Sequence, residues 1–218
     1  DASSVRPRSV DQSKAIAGWD VSPTAKRVLA EARGDLWSLP AKKGPKRNLT
    51  RTDGVAERGG AWSPDGKWIA YFSDRDGEYD LYRMAADGKG EPEKLAELGP
   101  GFRSSTSWSP DSQKIAFTDE AWRLWVYFLD RKVTMQIDAN PSFQTPTFSW
   151  GPDSQWIAYG RSHEDSRQGT IWLTNLDTGV KKRVTSGFFN DTNPTFDRKG
   201  EWLYYASDRV LSPTYSSI

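Results

Sequence analysis

The chain has 218 residues, with 30 Lys and Arg against 29 Asp and Glu, and this balance supplies no basic face for a nucleic-acid duplex. A mean hydropathy of −0.75, with no apolar run near the ~18–20 residues a membrane span needs, argues against a transmembrane helix. Cysteine is absent, which removes disulfides and thiolate chemistry and leaves the redox compartment open.

In chain order, residues 1–15 read as an N-terminal extension or outer strand. The start at Asp1, without Met or a leader, reads as a processed product or an excised piece. Val5-Arg6-Pro7-Arg8-Ser9-Val10 can supply a strand, which Pro7 confines to an edge. From residue 16 a phrase recurs. Val21-Ser22-Pro23-Thr24-Ala25 is a weak copy, and Trp62-Ser63-Pro64-Asp65-Gly66, Trp108-Ser109-Pro110-Asp111-Ser112 and Trp150-Gly151-Pro152-Asp153-Ser154 are full ones. Phe196-Asp197-Arg198-Lys199-Gly200 closes the series. The equivalent positions Pro23, Pro64, Pro110, Pro152 and Arg198 lie 41, 46, 42 and 46 residues apart. A period in the forties denotes an array of small units, none able to bury its apolar face alone.

One unit shows how each is built. Pro64 presets φ and Gly66 can take positive φ, so Ser63-Pro64-Asp65-Gly66 is a tight turn. Trp68-Ile69-Ala70-Tyr71-Phe72 then runs to a second turn at Asp74-Arg75-Asp76-Gly77, and Asp80-Leu81-Tyr82-Arg83-Met84 runs to a third at Asp87-Gly88-Lys89-Gly90. A short last run lies around Lys94-Leu95. Runs so short and so rich in aromatic and β-branched residues are strands, and four of them joined by hairpins form the antiparallel blade of a β-propeller. The predicted fold is therefore all-β: blades at 16–54, 55–99, 100–140 and 141–189, with a partial fifth at 190–218 cut within its third strand near Tyr215.

Third-strand cores are expected at Leu36, Leu81, Leu124 and Ile171, and fourth-strand residues at Leu49, Leu95, Ile137 and Val184. From turn proline to third-strand core the spacing varies from 13 to 19 residues, so the second-to-third-strand loop absorbs the length differences. Trp62, Trp108 and Trp150 are expected to pack between blades. A buried Trp hides roughly 150–250 Å², an upper bound of about 4–6 kcal/mol at ~25 cal/mol per Å².

Catalytic constellations are not found in the sequence. The single His163 sits in the polar stretch Arg161-Ser162-His163-Glu164-Asp165-Ser166, and no Gly-x-Ser-x-Gly elbow supplies a nucleophile for it. Asp74-Arg75-Asp76-Gly77-Glu78 lacks calcium-loop spacing and reads as a hairpin, so no metal or cofactor is expected. Arg33-Gly34-Asp35 occupies a hairpin where Gly and Asp are wanted for backbone reasons. Asn48-Leu49-Thr50 and Asn190-Asp191-Thr192 match the glycosylation sequon without any sign of a secretory origin. The basic clusters at residues 42–47 and 181–183 fall on third-to-fourth-strand hairpins.

These repeats resemble those of TolB, of prolyl-oligopeptidase relatives and of the tricorn proteases. Narrower phrases are similar to the second, seven-bladed propeller of the tricorn family: Ala32-Arg33-Gly34-Asp35-Leu36-Trp37, Arg47-Asn48-Leu49-Thr50, Ile157-Ala158-Tyr159-Gly160, Pro194-Thr195-Phe196-Asp197 and Leu203-Tyr204-Tyr205-Ala206-Ser207-Asp208-Arg209. The resemblance implies a non-catalytic propeller that gates or guides peptides to a separate serine-peptidase core in the parent protein. A TolB-like protein-interaction scaffold with no peptidase is the alternative. The implied partners are peptides or a protein, and the parent's catalytic domain, without nucleic acid or membrane. A ring cut short also predicts an open array that self-associates through its blade edges.

In a propeller the loops joining second to third strands share one face with those joining one blade to the next. Recognition is expected on such variable loops over a rigid scaffold. Arg58, Arg103, Gln144 and Asn190 are the candidate rim contacts for a ligand.

Overall fold

The computed structural model describes residues 13–141, 144–163 and 168–209. The stretch at 5–10 and the third strand expected near Tyr215 lie outside the described residues. The chain divides after Gly99 into two compact units.

In the first unit a 3₁₀ turn at Ser13–Ala15 leads into β1 (Ile16–Val21), β2 (Arg27–Ala32), β3 (Asp35–Pro40) and β4 (Arg47–Asn48), paired antiparallel in that order. A second meander follows as β5 (Glu57–Trp62), β6 (Trp68–Ser73), β7 (Asp80–Ala85) and β8 (Glu93–Ala96). The second unit holds β9 (Arg103–Trp108), β10 (Lys114–Asp119), β11 (Arg123–Phe128) and β12 (Val133–Ala139), then β13 (Phe148–Trp150), β14 (Trp156–Ser162), β15 (Gly169–Asn175) and β16 (Lys181–Arg183). It ends with the pair β17 (Asn190–Phe196) and β18 (Leu203–Asp208).

The recurring phrase is a self-contained turn device. Ser63 donates its hydroxyl to Asp65 (2.6 Å) and accepts the Trp68 amide (2.9 Å), while Asp65 accepts the Lys67 amide (3.0 Å). Ser109 and Asp111 repeat the arrangement with the Lys114 and Gln113 amides, both at 2.9 Å. Where Gly151 replaces the serine, Asp153 takes both amides itself, from Gln155 at 2.9 Å and Trp156 at 3.3 Å. Asp197 does the same work at the last turn, and the Trp202 amide is the chief reason its carboxyl sits below the usual range. The residue closing each turn is left-handed: Ala25 (φ 53°), Gly66 (73°), Ser112 (60°), Ser154 (60°) and Gly200 (74°). A type I turn ended by one left-handed residue is a common three-residue hairpin closure. Arg33 (φ 56°) and Gly34 (84°) form the two-residue link from β2 to β3, so the Arg-Gly-Asp phrase is hairpin geometry.

Each unit has its own core. Leu29, Leu36, Ile69, Tyr71, Tyr82 and Met84 close around Trp62 in the first, and Leu124, Val126, Phe128, Ile137, Ile157, Tyr159 and Leu176 in the second. Trp62 and Trp108 are buried, and the half-buried Trp150 reaches back to donate to the Ser107 carbonyl at 3.3 Å. All four expected third-strand core residues are fully buried. Fourth strands behave differently. Ile137 is buried, whereas Leu49 and Val184 fall just past β4 and β16 and Val184 is exposed. An outer edge strand has only one side to bury, so its apolar residues carry a weak positional signal. First strands are kinked by register shifts in β1, β5, β9 and β17, where an extra residue bends the strand and re-aims its side chains.

Candidate functional site

Within the second unit, residues between β12 and β13, the facing ends of β14 and β15 and the start of β17 converge on a cleft of about 230 Å³. Side-chain amides splice the backbone together there. Asn140 accepts the Ser162 amide at 3.1 Å and donates to the Gln144 carbonyl at 2.9 Å, and Asn190 accepts the Gly169 amide at 2.9 Å. Gly169 is required at that point, since a Cβ would lie 2.5 Å from the Asp191 carbonyl oxygen. Asn193, left-handed at φ 54°, sits in the register shift between Thr192 and Thr195.

The lining is mostly neutral hydroxyls and amides, including Gln144, Thr147, Ser162 and Asn193, together with two charged residues. Arg161 is engaged at the side of the cleft: its guanidinium lies 3.7 Å from Asp138 and 5.4 Å from the centre of the Trp172 ring. Asp191 is 5% exposed, and its Oδ1 has no hydrogen-bond partner among the described residues. A set of amides, hydroxyls and one buried carboxylate can grip a polar chain. No histidine is among the residues that line it.

Of the four rim candidates, Gln144 and Asn190 line this cleft together. Arg103 is 5% exposed at the start of β9, and Arg58 lies in the other unit, exposed on β5 with its guanidinium 5.6 Å from the Tyr79 ring centre. His163 is half-buried, its ring so close to Gly187 that a Cβ there would meet it at 2.8 Å. Sequence reasoning missed Asp191 and Asn140. The available signal was Asn190-Asp191-Thr192-Asn193, a wholly polar opening to a first strand in which Asp191 holds the position that Glu57 holds in β5. Among the described residues no group of three or more His, Asp or Glu could hold a metal ion.

Four-stranded antiparallel meanders recurring along the chain, without an α-helix among the described residues, define the class as a β-propeller. Residues 16–218 match the tricorn protease second beta propeller domain, and the chain belongs to that family. A tricorn protease homologue of Saccharolobus solfataricus is 28% identical over 191 residues, 88% of this chain and 17% of the relative. The crystal structure of the tricorn protease superposes with a TM-score of 0.75 at 18% identity, covering 97% of this chain and 21% of that one. A TolB-type protein of Agrobacterium tumefaciens superposes with a TM-score of 0.63 at 20% identity, over 89% of this chain and 71% of its own. The chain thus spans about a fifth of the tricorn proteins it matches.

Proposed function

We propose that this chain is a non-catalytic propeller of a tricorn-type serine peptidase, and that it gates or guides peptides toward a catalytic core carried elsewhere in the parent protein. The observation that carries this reading is the cleft between β14 and β17. Its amide and hydroxyl lining suits the repeating donors and acceptors of a peptide backbone, and it lies among loops of the kind that seat recognition on rigid scaffolds. The family match supplies the context, because two tricorn-type relatives that match 86–88% of this chain are much longer proteins, of which the match covers 17–21%.

Two measurements on the purified 218-residue chain test the reading. With a panel of fluorogenic peptides we expect no turnover. Turnover that survives purification and disappears in His163→Ala would overturn the non-catalytic part. With a labelled, non-cleaved octapeptide followed by anisotropy, we expect binding that weakens in Gln144→Ala and Asn190→Ala and persists when the basic residues of the 42–47 hairpin are neutralised. Binding that depends on the hairpin alone would put recognition on another face. Capture of a folded partner without peptide affinity would favour the interaction scaffold.

A further inference from the structure

We propose that the cleft recognises a primary ammonium group, with Asp191 as the residue that reads it. The proposal rests on the peptide reading above, in which the ammonium is the amino end of a bound chain or a lysine side chain. Asp191 is nine-tenths buried, and a carboxylate withdrawn from water is stable only when donors replace the water it has lost. Its Oδ1 finds none among the described residues. Two of its polar neighbours are committed elsewhere: Asn190 turns its amide oxygen to the Gly169 amide at 2.9 Å, and Arg161 is held beside Asp138 and the Trp172 ring. The cleft therefore presents an unanswered acceptor at its floor.

The surroundings select among cations. An ammonium carries three donors and no acceptor, and around Asp191 the cleft offers oxygens for the other two from Thr147, Ser162, Thr192 and the amide groups of Gln144 and Asn193. A guanidinium would bring five donors in a rigid fork and would meet Arg161 at the wall. At about 230 Å³ the space falls below the ~300–1,000 Å³ of pockets that enclose drug-sized ligands, so it admits a chain end or one side chain. Asn193, in the register shift of β17, lines the same space as Asp191.

Three octapeptides carrying the dye at the carboxyl end separate the possibilities by anisotropy: one with a free amino end and no lysine, its N-acetylated twin, and an N-acetylated version carrying a single lysine. We expect acetylation to weaken binding about tenfold, and Asp191→Asn to bind the free and acetylated peptides alike. Recovery of affinity by the lysine peptide would identify the side chain as the source, and no recovery would identify the amino end. A free-end preference that persists in Asp191→Asn, or its absence from the unmodified chain, would overturn the proposal. If no peptide binds, methylammonium followed by NMR decides separately. Shifts of the Gly169 and Asp191 amides that vanish in Asp191→Asn would uphold ammonium recognition while the peptide reading fails, and no shifts would refute both. Should Asp191→Asn unfold, the contrast between free and acetylated peptides on the unmodified chain still gives the answer.

Discussion

Tyr71 in β6 and Tyr159 in β14 occupy the same place in the repeat, after Trp-Ile-Ala, and both are fully buried. Tyr159 donates to Asp138 at 2.7 Å and accepts from Thr174 at 3.3 Å, whereas the Tyr71 hydroxyl has no hydrogen-bond partner among the described residues. Burial raises both phenol pKa values. The carboxylate that serves Tyr159 comes from the fourth strand of the preceding sheet, and β12 has seven residues that carry Asp138 to it. The corresponding β4 has two. Near Tyr71 the buried acid is instead Glu57, from the first strand of its own sheet, and its oxygens are taken by the Thr52 hydroxyl at 2.7 and 2.9 Å. Tyr71 keeps its ring stacked on Tyr82 at 6.0 Å. The repeat thus preserves shape more strictly than polar partnership.

The sharpest way to break this comparison is to remove the acid that only one tyrosine uses. Asp138→Ala strips Tyr159 of its acceptor and Arg161 and Lys181 of their counter-charge, and should cost about 2–4 kcal/mol in chemical denaturation. Tyr159→Phe should cost about 1–2 kcal/mol, while Tyr71→Phe, which removes an unmet hydroxyl, should stay within about 0.5 kcal/mol of the parent or stabilise it. Equal losses at the two tyrosines would show that Tyr71 finds a partner in solution.

Glu57 extends the contrast to pH. Burial pushes its carboxyl above the ordinary 4.5, against hydrogen bonds from Thr52 and Thr50 and the charge of Arg75, which lies 3.8 Å away. As pH climbs past 4.5 the unfolded chain releases this proton before the folded one does, so stability is lost until the folded carboxyl has also ionised. Glu57→Gln should therefore lose less stability than the parent between pH 4 and pH 7 in paired thermal melts. Parallel pH profiles would sink the assignment. A smaller effect separates the turns of the first unit: Ala25 holds a left-handed φ of 53° where Gly66 holds 73° without strain. Ala25→Gly should stabilise by about 0.5–1 kcal/mol, and Gly66→Ala should destabilise by a similar amount.

Much of the architecture was legible because its signals are local. The Ser-Pro-Asp device closes within six residues, and the third-strand positions Leu36, Leu81, Leu124 and Ile171 are buried from both sides. The outer strands were harder, since Leu49 and Val184 fall just past β4 and β16 and are not fully buried. The cleft was half legible. Gln144 and Asn190 stand out as polar loop residues, but Asp191 gains its meaning from burial beside β14 and β15, segments 16–35 positions away in sequence that no local pattern links to it.

The lateral joints between sheets have a further consequence for how such arrays diversify. Asp20 accepts the Trp62 amide at 2.7 Å, Ser154 accepts the Asp111 amide at 2.9 Å, and Asn190 accepts the Gly169 amide at 2.9 Å. Each of these joints uses a different side chain at a different point, so within each unit adjacent sheets are matched by an acceptor of their own. A gene in which these segments were shuffled would still encode well-shaped sheets, yet adjacent ones would meet without their matching acceptors. Serial order is thereby written into polar chemistry, which lets near-identical repeats duplicate without becoming interchangeable.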